Sequence, residues 1–355
     1  MLKNQELHDY YFELPEEYIA KYPVIPRDHA KLMVLLNNQI IDDYFYNLDQ
    51  YFPKNSVLVF NRTKVSHRRV YLYNEKRKST FEVLFLECID KNLWKCLIKK
   101  GRKLKKNDYL TKNDYVFKLE KRDDKFFYLS AWKNQTPTMT NISESEEFFE
   151  LYGNPPIPPY LKRQAEDIDK KFYQTVFAKE PGSVAAPTAS LHFTEELLER
   201  ISQKHKILFL NLQIGYGTFS PVGEKEINRK ELHEEFYEIP KETVDFLNQI
   251  KNHHPIIAVG TTTLRALEDN FLKFRQFTEG KFSTKIFIKP PDHVLSSDYL
   301  ITNFHLPASS LFMLVCAFGG THYLKQAYQH AIKNQYRFYS YGDGMIIQNR
   351  KYFKS

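Results

Sequence analysis

From Ser66 to Lys133 the chain alternates apolar and polar residues in six short runs, VYLY, STFEVLFLE, LWKCLIKK, DYLTK, YVFKLE and KFFYLSAW, each ended by turn residues. Period-two alternation with no helical pattern between the runs predicts six strands of a small antiparallel barrel or sandwich. The pattern on either side is different. PEEYIAKY reads as a short helix stopped by Pro23 and Pro26, while LMVLL and SVLVFNRT read as buried strands, the second ending at Asn61 and Arg62. Glu144 to Leu151 reads as a helix, and the proline-rich NPPIPP (Asn154 to Pro159) returns the chain to the main body. Beyond Tyr160 strands alternate with helices. The fold class is therefore an α/β main domain, residues 1–65 and 151–355, interrupted by an inserted small antiparallel β-barrel domain, residues 66–150.

Three stretches of the main domain concentrate small and chemically versatile residues. PGSVAAPTASLHFTEE, from Pro181 to Glu196, is too rich in small residues for a core strand or an amphipathic helix. It suits either a loop whose backbone approaches a ligand or a plain connection. It delivers His192 and Phe193 to a helix that Thr194 is placed to cap, with Glu195 and Glu196 in the first turn. PIIAVGTTTLRALE predicts a strand, a glycine turn and a helix opening at Thr261 or Thr262, whose free N–H groups suit a carboxylate or a phosphate. Arg265 and Glu268 lie one turn apart on that helix and are placed to pair. LITNFHLPASSL predicts a strand ending at Asn303, Phe304 and His305, with Pro307 opening a helix.

Other motifs mainly exclude. Gly215 and Gly217 end a strand but run into Thr218-Phe219-Ser220-Pro221 instead of a helix, so they are not a dinucleotide fingerprint. His233 has Tyr237 four residues on, where a zincin would have a second histidine. As a strand, LHEEFYEIP would put Glu234 and Phe236 on one face and His233, Glu235 and Tyr237 on the other. Asp343, between two glycines, reads by itself as a turn former.

Composition alters this picture at two points. Cys88, Cys96 and Cys316 form no C-x-x-C pair and read as reduced, buried thiols. The start is too charged for a signal peptide, and LFMLVCAF, from Leu311, is too short to span a bilayer. The net charge of +8 is unevenly placed: residues 66–133 hold 19 Lys and Arg against 9 Asp and Glu. Within them KKGRKLKK sets Lys99, Lys100, Arg102, Lys103, Lys105 and Lys106 nearly side by side. That run is a candidate phosphate-binding patch or a lysine-protected sheet edge.

Taken together and in order, LPEEYIAKYP-x-x-PRD, VFN-x-T, GSVAAPTA-x-LHFT, G-x-GTF-x-PV, VGTT-x-x-R-x-LE, ITNFHLP-x-S-x-LxMLV-x-AF and YRF-x-SYGD closely resemble one bacterial family. It is the S-adenosylmethionine:tRNA ribosyltransferase-isomerase family of queuosine biosynthesis. The matches run from near residue 10 to near residue 347 and skip mainly the basic insert. The resemblance implies transfer and isomerisation of the ribosyl part of S-adenosylmethionine onto the aminomethyl group of a 7-deazaguanine at the tRNA wobble position. Epoxyqueuosine, adenine and methionine result. It implies a cytoplasmic protein with tRNA as its partner, S-adenosylmethionine as co-substrate, no bound cofactor or metal, no membrane and a monomer.

The chemistry implied needs a base at the ribose 5′ carbon, an acid for adenine departure, and company for the sulfonium and the methionine carboxylate. His192 and His305 are the expected base and acid, because imidazoles titrate near working pH. Asp343, Glu234 and Arg265 are expected to orient polar groups. Ser183, Ala185, Ala186, Thr188, Thr261 and Thr262 are expected to bind substrate with Gly217 and Asn303, and Phe193, Tyr216 and Phe304 to stack on a base. The chain departs from the family pattern at Ser190, Phe236, Lys285 and Pro291, and carries His67 and Arg68 in unfamiliar places. A non-catalytic or altered-acceptor RNA-binding relative is the alternative reading. An ordinary methyltransferase lacks support, since no glycine-rich loop follows an early strand.

Overall fold

The computed structural model describes residues 8–215, 224–250 and 253–352. The first strands are β1 (Lys31–Leu36), β2 (Gln39–Tyr44), β3 (Val57–Asn61) and β4 (Thr63–Val65). An unbroken apolar run such as VLVFN forms a strand only where both of its faces are covered, and all five residues of β3 are buried. The PEEYIAKY segment, in contrast, keeps only a 3-10 turn at Glu16–Tyr18, because Ile19 is extended and bridges Phe338.

β4 leads into the insert: β5 (Arg69–Asn74), β6 (Ser79–Asp90), β7 (Leu93–Ile98), β8 (Tyr109–Lys112), β9 (Tyr115–Asp123) and β10 (Phe126–Lys133). Their neighbour order, β10-β7-β6-β5-β8-β9, closes on itself through an antiparallel β9–β10 pairing. The six alternating runs thus form a closed antiparallel barrel. Residues 136 and 137 add β11 beside β10. Helix α1 (Ile142–Tyr152) opens on Asn141, whose side chain accepts from the Glu144 N–H, and sets Phe148 and Phe149 against Phe85 in the barrel core. β12 (Gly153–Asn154) pairs with β5 on the way out. Of the three cysteines, Cys96 and Cys316 are buried but Cys88 is exposed, contrary to expectation, because it lies at the protruding end of β6.

The chain then runs through α2 (Asp167–Phe172), β13 (Glu180–Ser183), α3 (Glu195–Ser202), β14 (Lys206–Gln213), α4 (Glu224–Arg229), β15 (Glu231–Ile239), α5 (Lys241–Ile250), β16 (Ile256–Val259) and α6 (Thr261–Phe274). It ends with β17 (Gly280–Ile286), β18 (Tyr299–Asn303), α7 (Ser310–Gly319), α8 (Thr321–Lys333) and β19 (Gly344–Gln348). Thr194 caps α3 as its position predicted, accepting from the Leu197 N–H. α7 begins at Ser310 on a Ser309 cap, not at Pro307, and Ala308 between them is left-handed with φ 52°.

The nine-stranded sheet has the order β17-β15-β14-β3-β16-β18-β19-β1-β2. β14, β3, β16 and β18 are parallel neighbours, so their carboxyl ends share one edge, where open sheets hold ligands. Alternate residues of the central strands face opposite cores. Leu58, Phe60, Val259 and Ile301 meet Phe45, Phe193 and α3, while Val57, Val59, Ala258 and Leu300 meet the apolar faces of α6 and α7. No described helix is long and apolar enough to cross a membrane.

Candidate active site at the sheet edge

A cavity of about 190 Å³ lies at the carboxyl ends of β16 and β18, walled by the 185–189 segment and the turn that follows Asn303. Its described lining contains neither Asp, Glu, Lys nor Arg. Three local devices build it.

β16 turns into α6 at Gly260, whose φ of +94° disfavours any side chain. No side chain caps α6 there, so the first-turn N–H groups have no partner within the helix. Thr263 returns its hydroxyl to the Val259 carbonyl at 2.7 Å, but the Thr262 Oγ1 is buried without any hydrogen-bond partner.

At the end of β18, Asn303 Nδ2 lies 3.0 Å from His192 Nε2. With the amide donating, Nε2 accepts, and the Nδ1 proton faces the Arg27 backbone carbonyl. The Asn303 Oδ1 is left without a partner, on a residue only 2% exposed. Thr302 Oγ1 meets His305 Nε2 at 3.0 Å, and the Tyr328 hydroxyl accepts from the His305 backbone N–H at 2.9 Å. Burial pulls both imidazoles down to about 3, with the Arg337 charge adding to the effect on His192 and the hydrogen bond to the Arg27 carbonyl opposing it. Neither histidine therefore titrates near neutrality, against the expectation from free imidazole. Both are neutral in the ligand-free protein.

The third device is aromatic. Tyr160 and Tyr339 bring their ring centres within 3.9 Å on the cavity wall. Tyr339 holds a left-handed backbone, φ 74°, an uncommon conformation for a bulky residue that marks sites where function fixes geometry. The sequence reading missed both residues. Their only signals were a tyrosine ending the proline-rich stretch and an aromatic run before Gly342.

Several expected residues stand elsewhere. Ala185, Ala186 and Thr188 line the cavity with Thr261, Thr262, Asn303, Phe304 and His305, whereas His192 reaches it only through Asn303. Ser183 is structural: its hydroxyl donates to the Ala185 carbonyl at 2.8 Å and accepts from the Ile214 N–H at 2.9 Å. Phe193 is unavailable for stacking, because it is fully buried between Phe45 and Phe60. Phe304 borders the cavity, yet its ring packs on Tyr328, Tyr336 and Phe338.

Asp343 does not reach the cavity either. It accepts from the backbone N–H groups of Lys31 and Arg337 at 3.1 and 2.7 Å, joining β1 to the last turn, and burial raises its pKa. Arg265 pairs with Glu235 at 2.5 Å and not with Glu268, whose carboxylate accepts from the Leu295 and Ser296 N–H groups. Strand β15 places Glu235 over the helix where Glu268 points away. Tyr216 and Gly217 lie outside the described residues. Ser190, a departure from the family pattern, is fully buried with its hydroxyl unpartnered.

A second space of about 910 Å³ separates the barrel from the main sheet. Glu234 and Phe236 line it, and Phe236 is 55% exposed; His233 and Glu235, expected on the other face of the strand, line it as well, where the register of β15 shifts between Glu231 and Glu235. Arg68 closes its floor, with a buried guanidinium that donates to the Leu86 carbonyl at 2.6 Å. Ile214 lines both this cleft and the smaller cavity, and the chain passes from one to the other between Val184 and Ala185. The two spaces thus share a wall at the end of β14. The Lys99–Lys106 run lies at the far end of β7 from the cleft, which is lined by Trp94 and Lys95 at that strand's start.

Comparison with known proteins agrees with this architecture. The profile of the family described as "Queuosine biosynthesis protein" matches residues 7–347. An S-adenosylmethionine:tRNA ribosyltransferase-isomerase from Sulfurihydrogenibium is 44% identical over 96% of this chain and 99% of its own length. One from Aquifex aeolicus is 42% identical over the same shares. The crystal structure of S-adenosylmethionine tRNA ribosyltransferase from Thermotoga maritima, 31% identical, aligns with a TM-score of 0.53 over 96% of this chain and 99% of that one. A match of this length and identity, on a barrel inserted into an α/β sheet, places the chain in the queuosine biosynthesis protein family.

Proposed function

We propose that the cavity and the cleft form one active site in which S-adenosylmethionine gives its ribosyl group to 7-aminomethyl-7-deazaguanine in tRNA, with isomerisation to epoxyqueuosine and loss of adenine and methionine. The observation that carries this reading is the adjacency, on either side of Ile214, of a cavity without charged side chains and a much larger cleft. At about 190 Å³ the cavity falls below the roughly 300–1,000 Å³ of pockets that enclose a whole ligand. One end of S-adenosylmethionine seats inside it. The reacting ribose then lies at the mouth, where a base entering from the cleft meets it.

The helix end of α6 takes the methionine carboxylate, through the first-turn N–H groups and the Thr262 hydroxyl, where the helix dipole favours an anion. Asn303 Oδ1 accepts from the ammonium group. The Tyr160–Tyr339 wall faces the sulfonium, whose charge an aromatic face attracts. His305, on the cavity wall beside Asn303, is the proton acceptor, and the sulfonium acidifies the 5′ carbon it must deprotonate. Its depressed pKa speaks against His305 as the acid. His192 is a positioning residue that fixes Asn303, and Glu234 faces the acceptor in the cleft.

Adenine release on mixing the protein, S-adenosylmethionine and tRNA bearing the 7-aminomethyl base tests the reading. The expected result is adenine in step with modified nucleoside. Intact tRNA binding with no adenine would leave a non-catalytic relative instead. Folded His305→Ala and Asn303→Ala variants with wild-type turnover would overturn the roles assigned to them.

A further inference from the structure

The lysine-rich turn after β7 draws the eye in the sequence, but the barrel wall carries a better organised arrangement. On β10 the inward residues Phe127, Leu129 and Ala131 belong to the barrel core. Strand alternation therefore turns Phe126, Tyr128 and Trp132 outward. Lys95 Nζ lies 4.5 Å from the Phe126 ring centre and Lys125 Nζ 5.3 Å from the same ring, while Lys121 Nζ lies 4.4 Å from the Tyr128 ring. Register explains the order: Tyr128 stands opposite Lys95 on β7 and Lys121 on β9. A lysine–aromatic–lysine row thus crosses three strands.

This row begins inside the active-site cleft. Lys95, Lys125 and Phe126 line the cleft, together with Lys91, and Tyr128 continues the row onto the outside of the barrel. Acidic side chains stand beside it. Glu120 is engaged by Lys118 at 3.2 Å and by the Ser130 hydroxyl. Glu87 and Asp90 line the cleft beside Lys91, Lys95 and Lys125, and Asp123 flanks the row at the end of β9.

We propose that this outer face of β7, β10 and β9 is the track for the RNA strand flanking the base that enters the cleft. Unpaired bases stack on Phe126 and Tyr128, and the lysines now lying on those rings swing to the adjacent phosphates. Aromatic rings interleaved with lysines on a barrel wall are how single-stranded RNA is held without sequence readout. The choice of RNA rests on the function proposed above. The track itself rests on geometry.

The test uses the full-length protein and a labelled anticodon stem–loop with ordinary guanine at the wobble position, so that binding is read without turnover. The variants are Lys95→Ala/Lys121→Ala/Lys125→Ala, Phe126→Ala/Tyr128→Ala, and, for comparison, Lys99→Ala/Lys100→Ala/Lys103→Ala/Lys106→Ala. S-adenosylmethionine affinity, measured on each, reports an intact main domain. The lysine variant should bind RNA about ten-fold or more weakly, with the slope of log affinity against log salt reduced by about 2. The aromatic variant should lose roughly ten-fold with its slope unchanged. The comparison variant should stay within about two-fold of wild type on the same scale. Wild-type RNA affinity in both track variants, or a loss confined to the comparison variant, would overturn the track. A wild-type protein that binds RNA in this pattern but releases no adenine would sustain the track and refute the enzymatic reading.

Discussion

Replacing Thr262 by valine should make the free protein more stable and its ligand complex weaker. The Thr262 hydroxyl is buried, on a residue 8% exposed, and has no partner. An unsatisfied buried polar group costs about 1–3 kcal/mol. Valine keeps the branched shape without that cost, so the ligand-free protein should gain about 1 kcal/mol, the lower end of that range, since the wall can relax around a hydroxyl. Once a carboxylate accepts from the hydroxyl, the charge-assisted bond is worth about 1.5–3 kcal/mol. Its loss should weaken S-adenosylmethionine binding by roughly 10- to 150-fold. Urea unfolding without ligand and calorimetric titration with S-adenosylmethionine read the two effects separately. Opposite signs are the signature of a donor held ready for a ligand. A variant that is less stable by 1 kcal/mol or so, or that binds as wild type, would refute the assignment of the α6 end to the carboxylate.

Three further outcomes follow from other residues. With folded pKa values near 3 for His192 and His305, the unfolded chain binds protons that the native state does not, so stability falls as pH drops below about 6.5. At pH 5 each contributes a loss of about 2 kcal/mol, and His305→Gln should remove that share of the decline in urea unfolding; an unchanged decline would mean the imidazole protonates in place. Asp343→Ala should destabilise by about 2–4 kcal/mol, because two backbone N–H groups lose their acceptor, while the folded fraction keeps wild-type S-adenosylmethionine affinity; a selective loss of affinity would return Asp343 to the active site. Glu235→Leu should cost about 3–5 kcal/mol by leaving Arg265 buried and unpaired, and adding Arg265→Met should restore most of it. Additive losses in the double variant would deny the pairing.

The architecture was legible in the sequence because two periodicities coexist in it. Alternation from Val70 to Trp132 could only make strands, and unbroken runs such as VLVFN and IIAV needed cover on both faces. Junction chemistry was legible too: Gly260, Thr262, Asn303 and His305 sit where the strand-to-helix pattern placed them. What one-dimensional pattern lacks is the identity of each partner. Arg265 has Glu268 one turn away, yet it pairs with Glu235 from a strand thirty positions earlier in the chain. Phe193 and His192 adjoin a loop of small residues, but the first is core and the second touches the cavity only through Asn303. The Tyr160–Tyr339 wall joins residues on opposite sides of most of the main domain. The histidines' neutrality was likewise hidden, since burial sets it and sequence does not report burial of a single ring.

The reaction itself is tested most directly by isotope. The protein should be given S-adenosylmethionine labelled with carbon-13 either in the ribose or in the methyl group, together with tRNA bearing 7-aminomethyl-7-deazaguanine, and the digested nucleosides weighed. The account predicts that the ribose label enters the tRNA as epoxyqueuosine while adenine and methyl-labelled methionine are released. Methyl label in the tRNA, accompanied by S-adenosylhomocysteine, would contradict it.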